Sequence, residues 1–312
     1  MPLNAYWMQC GGCGGDTMSF LSAADPDVAE LFATEGIDLL WHPSLSNLSP
    51  AEAGRTTEAL LDGSRPLDVL IVEGAQIFGP NGTGAFDLKD GRPKKDLVAA
   101  LAQRARHVVA AGTCASFGGF GVGEDIDARG LQFTGSIPGG LLDAEFRSGA
   151  GLPVLNLAGC PMHPAVLRSA LTAMAMDCPI PLDAYNRPLD WYGTLVHQGC
   201  TRNEYHEYRI EEKQFGQKGC LFFHMGCHGP LVGGPCNKTL WNEQSSKTRA
   251  GVPCFGCTDP AFPQSTPFFE TPNIEGVPLK LPRGVDRAHY LAYKGMAAAA
   301  APLRLVERKT RV

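Results

Sequence analysis

The chain of 312 residues has no apolar run near the roughly 20 residues that span a bilayer. The stretches LTAMAMDCPIP and GMAAAAAPL are both too short. Nor is there an excess of positive charge. Lys and Arg number 27 against 32 Asp and Glu, a net charge of -5, which excludes the basic footprint of a nucleic-acid binder. The start, MPLNAYWMQ, lacks a basic segment, an apolar leader core and a twin arginine. The expectation is a chain that begins here and works in a reducing cytoplasm. What the chain does have is cysteine, 11 in all. Thiols in such a compartment are poor disulfide candidates, and an odd number rules out complete pairing. Scattered buried thiols would account for a few of them, whereas metal or redox chemistry accounts for the set.

The first half alternates strand and helix patterns. PLNAYWMQ, IDLLWHP, LDVLIVEG, HVVAAGT and GLPVLNLAG read as strands, LDVLIVEG as continuously apolar as a buried parallel strand. Between them, DPDVAELFATEG reads as a helix capped by Asp25 or Asp27 and stopped at Gly36. SPAEAGRTTEALLDG, KKDLVAALAQRA and HPAVLRSALTAMAM read as further helices. This alternation predicts an α/β fold, a doubly wound parallel sheet with helices on both faces. It predicts a first domain over 1–183 and a second, mostly irregular one over 184–312.

The unusual residues cluster at the predicted strand ends. Cys13 and Asp16 follow the first strand, in WMQCGGCGGDTMSF. Glu73 ends the third, Cys114 (GTCASFGG) the fourth and Cys160 (GCPMHP) the fifth. In a parallel sheet these ends share one edge, where ligands bind at the switch point of the strand order. The Cys10–Cys13 pair with Asp16 leaves a metal site, a disulfide and a phosphate loop open. GGFGVG, Gly118–Gly123, is a weak nucleotide-loop match, without the strand-loop-helix context and a following acid.

Beyond about residue 185 periodicity weakens and cysteine density rises. HQGCTR sets His197 three before Cys200. Cys220 and Cys227 follow in KGCLFFHMGCHGP, Cys236 in GGPCNKTLWNEQ, and Cys254 and Cys257 in GVPCFGCTDP. Structural zinc wants regular paired spacing. Iron–sulfur clusters tolerate irregular spacing, and the inventory suffices for more than one. A zinc ribbon is the alternative for this half. The tail, GVDRAHYLAYKGMAAAAAPLRLVERK, reads as one helix with an alanine-rich centre and a basic end.

With Trp7 six before Cys13, GTCAS, AGCPMHP, HQGCTR, GCHGP and PCFGCTDP, the chain resembles the small, electron-transferring subunit of NiFe-hydrogenases up to about residue 265. The resemblance implies a flavodoxin-like domain with a proximal cluster and an irregular domain with a medial and a distal one. It implies Cys13, Cys114 and Cys160 as proximal ligands, with Asp16 where the family has a fourth cysteine. A [4Fe–4S] cluster on three cysteines and one aspartate is the expectation, with Cys10 in place of Asp16 as the alternative. The actinobacterial, oxygen-insensitive uptake type is similar in having this aspartate. The extra cysteines of the oxygen-tolerant membrane-bound type fall on Gly15 and Gly119 here.

The resemblance further implies a distal [4Fe–4S] cluster on His197, Cys200, Cys220 and Cys227. It implies a medial cluster on Cys236, Cys254 and Cys257, a [3Fe–4S] species because no cysteine stands between Asn237 and Pro253, with a fourth, non-cysteine ligand as the alternative. Cys178 remains as a plain buried thiol. The NiFe centre would lie in a separate large subunit, the partner in a heterodimer or a larger assembly, with an unidentified electron acceptor. Glu73 is a candidate for the proton route or the subunit interface, or else a structural cap. Two other functions stay open. One is a cytoplasmic hydrogen sensor with little turnover. The other is a respiratory-complex subunit, although that relative has adjacent cysteines in its first motif and this chain has none.

Overall fold

The computed structural model describes residues 2–123, 125–263 and 268–307. The chain forms two compact units. The first comprises Met1–Asp190 and Thr258–Pro263, the second Trp191–Cys257 and Gln264–Val312. The division thus falls a few residues beyond the expected 183/184, and a short later segment rejoins the first unit. Arg187 accounts for both. It pairs with Asp183 at 2.7 Å and donates through Nη1 to the Thr258 carbonyl at 2.7 Å, anchoring 183–187 and 258 to each other.

The first unit is built on five parallel strands: β1 (Leu3–Gln9), β2 (Ile37–Trp41), β3 (Val69–Glu73), β4 (His107–Ala111) and β5 (Leu155–Leu157). Their order is β5-β4-β3-β1-β2, all pairs parallel, so the order reverses between β1 and β3. This is the doubly wound, flavodoxin-like arrangement, with its crevice at that reversal. The helices are α1 (Gly15–Leu21), α2 (Val28–Glu35), α3 (Pro50–Leu61), α4 (Lys94–Ala102), α5 (Gly112–Phe117) and α6 (Pro164–Ala175).

Local chemistry explains the boundaries. Asp27, not Asp25, caps α2 by accepting from the Glu30 amide at 2.8 Å, and Gly36 ends it at φ 65°. Ser49 and Glu52 make a capping box ahead of Pro50 in α3. Every residue of β3 is buried. Alternation in β1 divides the core. Tyr6 and Met8 join Leu70, Val72, Leu97, Leu101 and Val108 on one face, while Trp7 stacks on Phe20 of α1 at 5.9 Å on the other. The two helices of this unit that periodicity did not predict, α1 and α5, are short, seven and six residues, and α5 carries Cys114 within it.

The second unit has little regular structure. It holds a 3-10 turn (Val196–Gly199), α7 (Asn203–Glu207), α8 (Phe222–Met225) and α9 (Arg287–Ala299). Buried polar side chains take over the role of ladders. Arg202 donates to the carbonyls of Thr248 at 2.7 Å, Gly219 at 2.6 Å and Gln217. Asn237 donates to the Val196 carbonyl at 2.8 Å and accepts from Thr248 Oγ1 at 2.8 Å. The predicted tail helix is interrupted: α9 ends at Ala299, and Pro302 starts a separate turn, Leu303–Val306. A proline lacks the N–H that a continuous helix needs there. Of the expected basic end, Arg304 pairs with Glu204, while Arg308 and Lys309 lie outside the described residues. Among the described residues no helix is long and apolar enough to cross a membrane.

Candidate metal centres

The sheet register sets the first site. Gln9 pairs with Glu73, Glu73 with Ala111, and Ala111 with Leu157, so four strands end in one row. Cys13, Cys114 and Cys160 follow within four residues of that row. Burial pushes the Cys114 thiol up to about 12, and Cys160, Asp16 and Cys13 lie close enough to push it the same way. Asp16 is buried beside them. Its Oδ1 accepts from the Met162 amide at 2.6 Å, which ties α1 to the loop after β5. Burial raises its carboxyl to about 7 against the pull of the Met162 amide, and the charge of Glu73 adds to the rise. Gly112 stands underneath at φ 82°, where a Cβ would come within 2.1 Å of Asp16 Oδ2.

Glu73 organises this loop. Its Oε1 accepts from the amides of Asp16 and Thr17, both at 3.0 Å. Its Oε2 accepts from Trp7 Nε1 at 3.1 Å, from Gln9 Nε2 at 3.4 Å and from the Thr17 hydroxyl. A carboxylate offers about four lone-pair directions, and all are taken. The Ser44 amide donates to His42 Nδ1 at 3.0 Å, which leaves the ring proton on Nε2. Nε2 then donates to Thr17 Oγ1 at 3.2 Å. Ser44, His42, Thr17 and Glu73 therefore form one buried chain behind the cysteine loop.

Cys10 does not join this group. Its side chain packs in the core with Tyr6, Met8 and Leu97. Burial pushes its thiol up to about 12, and its charged neighbours are Asp87, Lys94 and Glu73. Gly15 and Gly119 lie directly against sulfur: a Cβ at Gly15 would stand 3.1 Å from Cys13 Sγ, and one at Gly119 2.7 Å from Cys114 Sγ. The glycine run Gly118–Gly123 closes α5 and makes one 3-10 turn, Gly119–Gly121. Cys178, expected to be buried, is exposed. It follows Asp177, whose φ of 54° turns the chain away from the end of α6.

The second unit gathers the remaining cysteines into two neighbouring groups. Cys220 and Cys227 are buried, and Cys200 lies close enough to raise both thiols, after burial itself. His197 shares this place. Its own amide donates to the Gly229 carbonyl at 3.0 Å, and Gly229 lies beside Cys227 Sγ. Burial lowers its ring pKa, partly offset by Asn203. Cys236 is held up at about 11 by burial and then by Cys257. Cys254 is raised by burial and by Cys227, Cys257 and Cys236. The groups touch where the Cys254 amide donates to Cys227 Sγ at 3.3 Å.

All eleven cysteines are free thiols. Among the described residues no three His, Cys, Asp or Glu side chains close on one point to hold a single ion. The sulfurs instead sit at backbone donors. Arg202 N–H points at Cys200 Sγ and Phe222 N–H at Cys220 Sγ, each at 3.4 Å. Backbone N–H groups of Phe120, Gly229 and Gly256 serve Cys114, Cys227 and Cys254. Such donors favour the thiolate over the thiol, as metal ligation requires. The donor sets therefore fit iron–sulfur clusters.

Two features went unseen in the sequence. The His42–Thr17–Glu73 chain joins residues far apart in order. His206 stands against Cys220 (Nδ1 to Sγ 3.4 Å) without a motif to mark it.

Known proteins resemble this chain in sequence and in fold. The family described as the C-terminal part of the NiFe/NiFeSe hydrogenase small subunit matches residues 192–270. The family described as NADH ubiquinone oxidoreductase, 20 Kd subunit, matches residues 13–174. The periplasmic [NiFe] hydrogenase small subunit 1 of Nitratidesulfovibrio vulgaris is 32% identical, over 84% of this chain and 80% of its own length. The F420 non-reducing hydrogenase II small subunit of Methanosarcina mazei is 29% identical, over 97% of this chain and 83% of its own. Among solved structures, the actinobacterial-type NiFe-hydrogenase from Ralstonia eutropha H16 is similar with a TM-score of 0.77 at 29% identity, covering 87% of this chain and 83% of that one.

Proposed function

This chain belongs to the NiFe-hydrogenase small-subunit family, the electron-transfer partner of a large subunit, and on that premise we propose that it serves oxygen-insensitive hydrogen uptake. Hydrogen split at the partner's NiFe centre yields two protons and two electrons, and this chain takes the electrons and delivers them to an external acceptor. Bound clusters supply one-electron acceptor sites in series. Cys13, Cys114, Cys160 and Asp16 would hold the proximal [4Fe–4S] group. His197, Cys200, Cys220 and Cys227 would hold the distal [4Fe–4S] group, and Cys236, Cys254 and Cys257 a medial [3Fe–4S] group.

The observation that carries the proposal is the convergence of Cys13, Asp16, Cys114 and Cys160 at one sheet edge. The chain's residues do three things there. Glu73 fixes the start of α1, the glycines keep side chains off the sulfurs, and Asp16 offers an oxygen where a thiolate would otherwise stand. Oxygen is a harder donor than sulfur, so Asp16 is the residue through which this site would differ in potential and in resistance to oxidation. The raised thiols must each lose a proton on loading, so assembly releases protons.

The test is hydrogen-dependent dye reduction by this chain co-purified with its large subunit, with and without air, in the native form and in Asp16→Cys. Turnover that persists in air and becomes air-sensitive in D16C supports the proposal. Negligible turnover from a fully metal-loaded complex would overturn it in favour of a hydrogen sensor. Equal air tolerance in D16C would remove the role given to Asp16.

A further inference from the structure

His206 closes α7 and is buried, 9% exposed. Its Nδ1 lies 3.4 Å from Cys220 Sγ. The ring is held on two sides, edge-on to His197 with centroids 4.5 Å apart and edge-on to Phe222 at 5.5 Å. Two imidazoles therefore stand by the same cysteines, and the spacing to Cys200 drew attention to only one. The structure separates their roles: the Nδ1 of His206 is directed at a sulfur at hydrogen-bond distance. A thiolate that holds iron has no proton to give, so the proton of this contact must sit on Nδ1.

We propose that His206 is a positioning residue that donates Nδ1–H to Cys220 Sγ and raises the reduction potential of the centre held by His197, Cys200, Cys220 and Cys227. This rests on the reading of those four residues as one ligand set. Reduction adds an electron to the centre, and the added negative charge spreads over the thiolate sulfurs. A donor at a sulfur stabilises the reduced form more than the oxidised form, and hydrogen bonds to sulfur are among the levers that set cluster potentials. Phe222 N–H already points at this sulfur from the backbone. His206 adds a second donor, from a ring that packing on His197 and Phe222 holds in place.

The experiment is a redox titration of the complete, metal-loaded complex, followed by electron paramagnetic resonance, with nitrogen hyperfine spectroscopy to mark the histidine-ligated centre. His206→Phe keeps the ring and removes the donor. The expected result has two parts. The nitrogen coupling survives, because it comes from His197. The midpoint of that centre moves negative by the equivalent of about tenfold in the reduction equilibrium, roughly 59 mV for one electron. His206→Gln restores an N–H donor and brings the midpoint back toward the native value. If H206F does not load, His206→Leu removes the donor with less bulk and is read in the same way.

An unmoved midpoint in a donor-less variant overturns the proposal. Loss of the nitrogen coupling with the centre retained also overturns it, by making His206 the ligand. A native complex with no nitrogen-coupled centre overturns the four-residue ligand reading itself, and the proposal with it, a failure visible before any variant is made.

Discussion

Replacing Glu73 by glutamine separates a cap from a proton carrier. The carboxylate accepts from two helix amides through Oε1 and from Trp7, Gln9 and Thr17 through Oε2. A glutamine has one carbonyl oxygen for these donors. Placed at Oε1, it keeps the Asp16 and Thr17 amides, and its NH2 group then faces the Trp7 indole N–H. The Thr17 hydroxyl can turn to accept, but the indole N–H cannot, and Trp7 is 1% exposed. An orphaned buried donor costs about 1–3 kcal/mol, and loss of charge assistance at two amides adds about 1 kcal/mol. The reverse placement orphans both amides and is worse. The total is about 3 kcal/mol, which for a unit of this size lowers the melting temperature by roughly 6–12 °C. The assay is thermal unfolding of the metal-loaded complex, with turnover measured at a temperature where both forms are folded. E73Q should melt lower and turn over normally when folded. Unchanged melting with turnover lost would refute the cap and support the proton route.

Two further outcomes follow from the same loop. Gly112→Ala should lose at least about 2 kcal/mol of stability and the iron of the first unit, because the new Cβ meets Asp16 at 2.1 Å with φ at 82°; Gly36→Ala, where no atom lies within 4 Å, is the control for backbone strain alone. Burial holds His42 down at about 4 from 6.5 against the attraction of Glu73. The unfolded chain therefore takes up a proton between these values that the folded chain refuses. Stability present above pH 6.5 should fall as the pH drops toward 4, by up to about 1.4 kcal/mol per pH unit; His42→Gln should flatten that slope in melts across the range.

The sheet was legible because its strands are apolar runs broken by capped helices. LDVLIVEG has no polar interruption before Glu73, and Ser49-Pro50 announces a helix start. The cysteines were legible by spacing and by family resemblance. What escaped was whatever depends on contact between distant residues. Glu73 reaches Thr17 across 56 positions, and nothing near Glu73 in sequence names its donors. His206 sits in NEYHEY, an ordinary polar helix, and only the fold brings it to Cys220. Cys178 was misjudged because burial was inferred from residue type, whereas the turn at Asp177 decides it. The tail was drawn as one helix because its alanines outweighed a single proline.

The row formed by Gln9, Glu73, Ala111 and Leu157 has a consequence for how such a site can change over evolution. Cys13 stands four residues beyond its strand end, and Cys114 and Cys160 three beyond theirs. A strand advances about 3.3 Å per residue, so slipping any one strand by a single position would carry its donor off by more than an iron–sulfur bond length. The lengths of these three overhangs are thus frozen. Drift on the opposite edge of the sheet, where the strands begin, carries no such penalty, and insertions should accumulate there instead.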